Sequence, residues 1–195
     1  MAARESMKLL VDRLRSVTGA ATDEEFGGIT YWTDDQLEAE LDKHRYDARV
    51  PLTVTEYRQD GRVTYRYTFS IPRGFWTENK YTVRDSNGRE VSTAYTVEVN
   101  SERGTVLFAE DIGNRRLFID LSLFDWNAAA ADVWEQKAAH RYDYITVKAG
   151  DTRFDAAQER DFCVARAAWH RARRVKGFNR VKLGFVPAAH RRPRQ

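Results

Sequence analysis

The spacing of the apolar residues changes twice along the chain, and these two changes constrain the fold more than any other feature. Apolar residues recur every three to four positions over residues 7–17 and again from residue 126. Between residues 50 and 121 they alternate with polar residues instead, as over residues 63–69. A period near 3.6 is typical of an amphipathic helix, and a period of 2 is typical of a half-buried strand. The sequence therefore predicts an α+β fold, a small helical bundle of about four helices with an inserted antiparallel β module.

The same pattern predicts four segments and the elements within them. Residues 1–49 supply the N-terminal helices, residues 50–121 the β module, residues 122–176 the helices that complete the bundle, and residues 177–195 an extended basic tail. Residues 18–32 are predicted to form a loop. The predicted helices span residues 5–17, 34–45, 125–140 and 154–175. The predicted strands of the module span residues 53–58, 62–69, 81–84, 95–99, 105–108 and 117–123.

Local signals mark where helices and turns begin and end. Thr33 and Gln36 have the spacing of a capping box, and the two aspartates between them suit the positive end of a helix. Gly19 is a predicted helix stop, Asp125 is a predicted N-cap, and Gly104 offers the positive φ of a tight turn. The apolar stripes of the helices predict a shared core formed by Leu10, Leu14, Leu37, Leu41, Trp126, Val133, Trp134, Phe162 and Trp169.

The charge is distributed unevenly, although the whole chain carries a formal net charge of only +3. Residues 1–48 hold 6 Lys or Arg and 11 Asp or Glu, whereas residues 162–195 hold 10 Lys or Arg and no Asp or Glu. A basic C-terminal region of this kind indicates an anionic partner, either nucleic acid or an acidic protein surface. The alternative is a solvated terminus that only keeps the protein soluble.

A short alternating run follows the last predicted helix. Val181, Leu183 and Phe185 alternate with Lys182 and Gly184, a pattern typical of a strand with one apolar face. Because an isolated strand is unstable, we expect this run to add to a sheet edge, either in this chain or in a partner. The residues predicted to contact a partner are Arg166, Arg171, Arg173, Arg174, Lys176, Arg180, Val181, Lys182, Leu183 and Phe185.

Nothing in the sequence indicates catalysis, a metal site or a cofactor. Cys163 is the one cysteine, which excludes an intramolecular disulfide, and we expect it to be a buried, inert thiol. The four histidines lack metal-ligand spacing, and each is interpreted as a helix-end or surface residue. No nucleotide-binding or nucleophile motif occurs. The alternative of an enzyme with an unrecognised site would require carboxylates of perturbed pKa that converge in a pocket.

Membrane insertion and secretion are not indicated either. No apolar stretch approaches the roughly 18 residues of a membrane span. Residues 1–10 also lack the apolar core of a signal peptide. We therefore expect a soluble protein that is not secreted.

Several strings of the sequence, and their order, resemble the head–tail connector (adaptor) proteins of long-tailed bacteriophages. Residues 31–38, Tyr-Trp-Thr-Asp-Asp-Gln-Leu-Glu, are similar to the start of a helix in that family, and residues 41–45 are similar to its His-Arg end. Residues 124–135, Phe-Asp-Trp-Asn-Ala-Ala-Ala-Ala-Asp-Val-Trp-Glu, resemble the family's alanine-rich helix. Residues 50–108 are similar to the β insertion of many connectors. Residues 145–151 and the long basic tail depart from the family pattern.

The resemblance implies a virion structural protein without catalytic activity, located in the virion neck and, during assembly, in the host cytoplasm. Copies of the chain would form a ring, expected to be a dodecamer, below the portal protein. The ring would extend the DNA channel, let DNA pass without specific binding, and offer a platform for a stopper or tail-completion protein. The basic residues of the last helix and the tail would then dock on an acidic portal surface, while the mildly acidic body would let DNA slide past.

A nucleic-acid-binding protein is the main alternative, and another virion or assembly protein is a further one. In the nucleic-acid-binding alternative, the arginines of the last helix and the basic tail would contact phosphates. This alternative predicts a monomer or dimer whose affinity for DNA falls steeply with salt.

Overall fold

Helices and antiparallel sheets together build the chain in its computed structural model, which confirms the predicted mixed α+β class. Contacts within the chain divide it into two compact units. Unit 1 contains Met1–Arg45, Gly74–Trp76 and Phe124–Lys176, and unit 2 contains Tyr46–Arg73 and Thr77–Leu123. The structure describes residues 4–20, 24–26, 29–59, 62–71, 73–91, 97–100, 104–108, 112, 114–140, 147–149, 152–154 and 156–175.

Four α-helices and eleven strands lie within the described residues. The helices are α1 (Lys8–Thr18), α2 (Asp34–Lys43), α3 (Trp126–His140) and α4 (Ala156–Arg173), and a single 3-10 turn, Glu5–Met7, precedes α1. The strands are β1 (Glu24–Phe26), β2 (Ile29–Tyr31), β3 (Arg45–Pro51), β4 (Thr53–Gln59), β5 (Arg62–Thr68), β6 (Phe75–Asp85), β7 (Val97–Asn100), β8 (Thr105–Phe108), β9 (Leu117–Asp125), β10 (Val147–Ala149) and β11 (Thr152–Phe154).

Most strands belong to two sheets, ordered β3-β9-β6 and β4-β5-β8-β7. In the first sheet, the Leu52 backbone N–H donates to Leu117 O at 2.9 Å, and Ser122 Oγ donates to Asp47 Oδ1 at 3.0 Å. Residue numbers therefore rise along β3 as they fall along β9, which makes the pair antiparallel. The remaining described strands form two small antiparallel hairpins, β1 with β2 and β10 with β11.

Gly104 sits where two strands of the second sheet approach closely. Its φ is 62°, and a Cβ atom at this position would lie 2.1 Å from Phe69 O. The Phe69 backbone N–H donates to Gly104 O at 2.7 Å, so the two backbones are in direct contact. Only glycine avoids both the strain of a positive φ and this clash, which confirms the predicted turn residue.

The core of unit 1 forms where the apolar stripes of α1 and α2 meet α3. Side chains spaced three or four residues apart lie on one side of a helix, so each helix offers a continuous apolar face. The buried cluster comprises Met7, Leu10, Val11, Leu14, Ala20, Trp32, Leu37, Leu41, Phe124, Ala129, Ala130 and Val133. Burying a side chain of leucine size contributes about 1.5–3 kcal/mol, so this cluster is the main source of stability in unit 1.

Arg15 holds the connection between α1 and α2. Its Nη1 donates to Ala20 O at 3.0 Å and to Trp32 O at 2.9 Å, and its Nη2 donates to Asp34 Oδ1 at 2.6 Å. Trp32 adopts φ 64°, in the left-handed region where a bulky side chain is strained. Trp32 is only 1% exposed, so its burial and the bonds from Arg15 offset this strain.

Helix α2 begins with the predicted capping box. Thr33 Oγ1 accepts a hydrogen bond from Gln36 N at 3.4 Å, and Gln36 Oε1 accepts one from Thr33 N at 3.0 Å. The helix ends at Lys43, two residues earlier than predicted. The physical reason is that Arg45 opens strand β3, whose pairing with β9 supplies backbone partners that a longer helix would forgo.

Helix α3 is buried around most of its circumference, whereas the sequence predicted a single apolar stripe. Asp125 Oδ1 accepts a hydrogen bond from Ala128 N at 3.1 Å, which confirms the predicted N-cap. The buried residues of α3 are Asn127, Ala128, Ala129, Ala130, Ala131, Val133, Trp134, Lys137 and Ala138. The prediction was wrong because alanine carries little hydrophobic signal in a sequence, although its small side chain lets neighbouring elements pack closely.

Other element boundaries also differ from the sequence prediction. The predicted loop over residues 18–32 contains β1 and β2. Strand β6 begins at Phe75, whereas the sequence predicted a start at Tyr81. The charged Glu78 is buried in this strand, at 3% exposed, so β6 does not follow the simple alternation of buried apolar and exposed polar residues. The predicted tail over residues 177–195, including its alternating run, lies outside the described residues.

Candidate protein-docking face

Helix α4 buries one narrow strip and exposes most of its other described side chains. Cys163, Ala167 and His170 are 6%, 2% and 3% exposed. They follow one another at four and then three residues, so they lie on one side of the helix. Cys163 and Ala167 pack with Trp134 and Ala138 of α3 in a second buried cluster. Cys163 is therefore the buried thiol that the sequence predicted.

The apolar seam of α4, defined as Phe162, Ala165, Trp169 and Ala172, lies on the exposed side of the helix. Phe162 is 51% exposed and Trp169 is 42% exposed, and both alanines are exposed as well. The predicted place of Phe162 and Trp169 in the core is therefore wrong, and Trp126, a third predicted core residue, is only partly buried. The physical reason is packing distance, because a strip of small side chains lets α4 approach α3 more closely than aromatic side chains would.

The seam has the spacing of a heptad repeat. Its four residues follow at three, four and three positions, which corresponds to the a and d positions of a helix that packs against another helix. At 100° per residue, the centre of the seam lies roughly 140° around the helix from the centre of the buried strip. The seam therefore faces largely away from α3, and only the ring of Phe162 still meets Trp134 of α3 edge-on, with ring centres 5.7 Å apart.

Arginines border one edge of the seam, and a single exposed carboxylate, Asp161, borders the other. The four described arginines in this region are Arg166, Arg171, Arg173 and Arg174, all of them exposed, and residues 162–175 contain no Asp or Glu. The guanidinium carbon of Arg166 lies 5.2 Å from the ring centre of Phe162, and that of Arg173 lies 3.6 Å from the ring centre of Trp169. The seam thus carries two aromatic–arginine pairs that repeat after seven residues.

The other charged residues of α4 are engaged elsewhere. Arg171 forms an ion pair with Glu135 of α3. Arg160 pairs with its neighbour Asp161 at 3.0 Å. Exposed pairs of this kind contribute roughly 0–1 kcal/mol each. Arg166 and Arg173 are therefore the two arginines whose positive charges border the seam directly.

His170 lies in the last turn of α4, as one of the two predicted alternatives had it, but it is buried and anchors the strip, so the surface alternative is wrong. Its Nδ1 donates to Asn127 Oδ1 at 3.2 Å. Its ring meets Trp126 and Trp169 edge-on, with ring centres 5.7 and 4.7 Å away. Burial lowers the pKa of His170, and the positive charges of nearby guanidinium groups lower it further. The neutral imidazole is therefore the form that fits this site.

The predicted docking residues are divided between described and undescribed parts of the chain. Those outside the described residues are Lys176, Arg180, Val181, Lys182, Leu183 and Phe185. The four arginines on or just after α4 are described and exposed. Ala168, exposed on the edge of the seam opposite Arg166 and Arg173, was not predicted from the sequence, although its place one residue before Trp169 in the heptad was the signal for it. Val164, 52% exposed, lies farther round the helix from the seam.

A second cluster of charged residues lies in unit 2, and its members bind one another. Asp120 accepts hydrogen bonds from Arg49 at 2.6 and 3.0 Å and from Arg84 at 2.8 Å. Burial alone would raise the pKa of the Asp120 carboxyl, but the bonds from both arginines and their charges lower it overall. A carboxylate that stays ionised and fully bonded is poorly suited to proton transfer. Asp120 instead ties together the strands of the first sheet.

No protein-family model matches the chain, and no match was found among curated proteins or solved structures. Within the described part of the chain, no group of three or more His, Cys, Asp or Glu residues could hold a metal ion. None of the described helices is long and apolar enough to cross a membrane. The exposed face of α4 combines aromatic side chains with bordering arginines, which gives this surface a distinct chemical character.

Proposed function

We propose that the chain is a virion structural protein, a head–tail connector whose copies form a ring below the portal. The ring, expected to contain twelve copies, extends the DNA channel and offers a platform for a stopper or tail-completion protein. The observation that carries this proposal is the exposed seam of α4 with its bordering arginines. Exposed aromatic side chains beside arginines are typical of protein–protein contacts.

The strings that resemble the connector family support the proposal because they occupy structurally decisive positions in unit 1. Residues 31–38 include the buried Trp32 and the capping box of α2. Residues 124–135 include Phe124, which is fully buried, and most of α3. In the proposed architecture, the four helices form the bundle, and residues 50–121 form the inserted β module.

The distribution of charge also suits this function. Residues 1–161 hold 22 Lys or Arg and 29 Asp or Glu. A body with excess negative charge repels the phosphate backbone, so DNA can pass without being retained. The positive charge is left to the C-terminal region, which can attach the ring to an acidic portal surface.

Virions purified from cells that produce this chain provide the direct test. Mass spectrometry is expected to detect the chain in the particles, and cryo-electron microscopy of the necks is expected to show it as a ring below the portal. Virions that are complete but lack the chain would contradict the proposal.

A deletion tests how the ring attaches. A variant that lacks residues 178–195 is expected to keep its fold and to lose attachment to portal-filled heads. Reversing the charges of Arg173, Arg174 and Lys176 is expected to weaken attachment less, mainly by slowing association. If the deletion variant still attaches to the heads, the tail is not part of the docking surface.

The nucleic-acid-binding alternative is less well supported by the geometry of Trp169. Stacking of a base requires a free face of an aromatic ring. The guanidinium of Arg173 already covers one face of Trp169 at 3.6 Å, and His170 meets the ring at 4.7 Å. DNA binding that survives high salt and is lost on Trp169→Ala would favour the nucleic-acid-binding alternative over the connector.

A further inference from the structure

The seam of α4 exposes apolar surface in a regular pattern. Phe162 and Trp169 are about half-exposed, and the alanines between and after them leave room for another element. Scattered exposed apolar residues need no explanation, but aromatic residues aligned on one helix face and bordered by arginines indicate a contact surface. The question is which kind of partner fits this surface.

The spacing of the seam favours a helix over a strand. Phe162 and Trp169 are seven residues apart, which corresponds to about 10.5 Å along a helix axis at 1.5 Å per residue. Side chains on one face of a strand repeat every 6.6 Å or so, which does not match this spacing. A second helix repeats its a positions at the same interval. Arg166 and Arg173 have this spacing too.

The charge around the seam disfavours pairing with the chain's own basic elements. From Asp161 to residue 175 the chain carries four arginines against one carboxylate, so a second copy of α4 would bring a net excess of like charges together. Residues 176–195 contain six Lys or Arg and no Asp or Glu, so the chain's own tail would also be repelled. Charge complementarity therefore points to an acidic occupant.

We infer that an amphipathic helix of a partner protein, with apolar residues in heptad spacing and carboxylates along one edge, docks into the seam of α4. Apolar side chains of that helix fit between Phe162 and Trp169, above the alanines. Its carboxylates meet Arg166 and Arg173, whose guanidinium groups the two aromatic rings already hold in place. On the opposite edge lie Ala168 and the exposed Asp161, which require neutral or basic neighbours.

This inference deepens the proposed function, since it specifies how the arginines of a connector would be recognised. It can nevertheless fail separately. A chain that forms rings in virions but does not bind an acidic helix refutes only the docking inference. A chain that binds such a helix but is absent from virions refutes only the proposed function.

A designed peptide serves as the probe. It has 28 residues, with leucine at the a and d positions, glutamate at e and g, and alanine or glutamine elsewhere, and it carries a fluorescent label. Mutual repulsion of the glutamates keeps the peptide from pairing with itself at neutral pH. Two control peptides replace either the glutamates by lysine or the leucines by serine.

Fluorescence anisotropy with the full chain is expected to show saturable binding of the acidic peptide alone. Binding is expected to weaken as salt rises from about 0.05 to 0.5 M, because the carboxylate–arginine contacts are screened. The absence of saturable binding up to about 1 mM protein would overturn the inference. A dissociation constant of that size corresponds to a binding free energy of only about −4 kcal/mol.

Substitutions on the seam test its residues one by one. Trp169→Ala and Phe162→Ala are each expected to weaken binding at least about tenfold, the range of interface anchors. Arg173→Glu is expected to weaken binding of the acidic peptide and to create binding of the lysine peptide. Because these side chains are about half-exposed or more, the variants are expected to remain folded, as circular dichroism can verify.

Matched controls lie in unit 2. Leu107 is 42% exposed, as is Trp169, so Leu107→Ala removes a comparable exposed side chain. Arg89 is an exposed arginine, so Arg89→Glu changes the net charge as Arg173→Glu does. Both controls are expected to bind the acidic peptide within about twofold of the unaltered chain. Equal losses in the controls and the seam variants would show non-specific attraction and overturn the inference.

Other occupants give different outcomes. Dimerisation at rising protein concentration, lost on Trp169→Ala, would assign the seam to a second copy. Peptide binding that appears only after deletion of residues 177–195 would assign it to the chain's own tail. Binding of single-stranded DNA that is lost on Trp169→Ala, with no binding of the acidic peptide, would assign it to nucleic acid. Each of these results overturns the acidic-helix inference.

Discussion

The Nζ atom of Lys137 donates a 2.8 Å hydrogen bond to the carbonyl oxygen of Gly19. Gly19 is the left-handed C-cap of α1, and Lys137 also donates to Thr18 O at 3.1 Å. The ammonium group therefore neutralises the negative end of α1 from within α3. It lies 5.8 Å from the ring centre of Trp32 and 5.2 Å from that of Trp134, so two aromatic faces stabilise the buried charge.

Replacing Lys137 by methionine is expected to destabilise unit 1. Methionine keeps much of the volume but leaves the last carbonyls of α1 without their charged donor, which costs about 2 kcal/mol. Chemical denaturation followed by circular dichroism measures the change. Lys8→Met, at an exposed position of α1, is the matched control and is expected to change the free energy of unfolding by about 0.5 kcal/mol or less. Equal effects of both substitutions would contradict the capping role.

Two tryptophans of unit 1 are expected to respond very differently to truncation. Trp134 is 9% exposed and packs against Cys163 and Ala167, so Trp134→Ala is expected to cost about 3–5 kcal/mol. Trp169 is 42% exposed, so Trp169→Ala is expected to cost roughly 1 kcal/mol. Chemical denaturation of both variants measures the two losses in the free energy of unfolding. A loss below about 1 kcal/mol for Trp134→Ala would contradict its place in the core.

Asp120→Asn is expected to destabilise the first sheet of unit 2 at neutral pH. The pKa of Asp120 is lowered by its bonds to Arg49 and Arg84, so the ionised carboxylate stabilises the fold. This contribution is present above the ordinary carboxyl pKa of about 3.9 and is lost as pH falls through the lower value in the fold. The side chain is partly exposed, so the expected cost at pH 7 is about 1–2 kcal/mol.

Melting curves at a series of pH values test the Asp120 prediction. The difference between the unaltered chain and Asp120→Asn is expected to shrink below about pH 3.9, where protonation begins to remove the charge. A difference that is constant down to strongly acidic pH would show that the charge of Asp120 does not contribute. Asp85→Asn, at the last residue of β6, changes a carboxylate without breaking these two ion pairs and serves as the comparison.

His170 is expected to make the packing of α4 sensitive to mild acid. Because burial lowers the pKa of His170 in the fold, protonation favours the unfolded chain. The free energy of unfolding is therefore expected to fall as pH drops below about 6.5, the ordinary histidine pKa, and on towards the lower value in the fold.

The substitution His170→Gln isolates this effect. Glutamine can still donate to Asn127 but does not titrate, so the variant is expected to lose less stability between about pH 7.5 and 5.5 than the unaltered chain. Contributions from the other histidines are present in both proteins and cancel in the comparison. An identical pH dependence of the two proteins would contradict the buried, neutral state of His170.

Locally determined features followed from the sequence because their physical causes lie within a few residues. The capping box at Thr33 and Gln36, the C-cap at Gly19 and the N-cap at Asp125 each use a side chain or backbone group close to the helix end that it caps. Gly104 is likewise recognisable as a turn residue. The change of apolar period was sufficient to predict a mixed α+β fold.

Tertiary packing alone decided which side of α4 is buried. The sequence offered a seam of Phe162, Ala165, Trp169 and Ala172, and hydrophobicity alone ranks it above the strip that includes Cys163 and His170. The fold buries the second strip, because small side chains allow close helix contact and Asn127 supplies a partner for the imidazole. No periodicity in the sequence records the position of that partner.

Tertiary packing also decided which partners Lys137 and Asp120 have. Lys137 lies 118 positions from Gly19 along the chain, and Asp120 lies 71 positions from Arg49. A charged residue in a sequence is expected at the surface unless its partner is known. The sequence determined the capping residues of the helices, the change from helical to strand periodicity and where charge accumulates. The tertiary structure decided which charges are satisfied inside and which aromatic side chains remain exposed, because both depend on residues that only folding brings together.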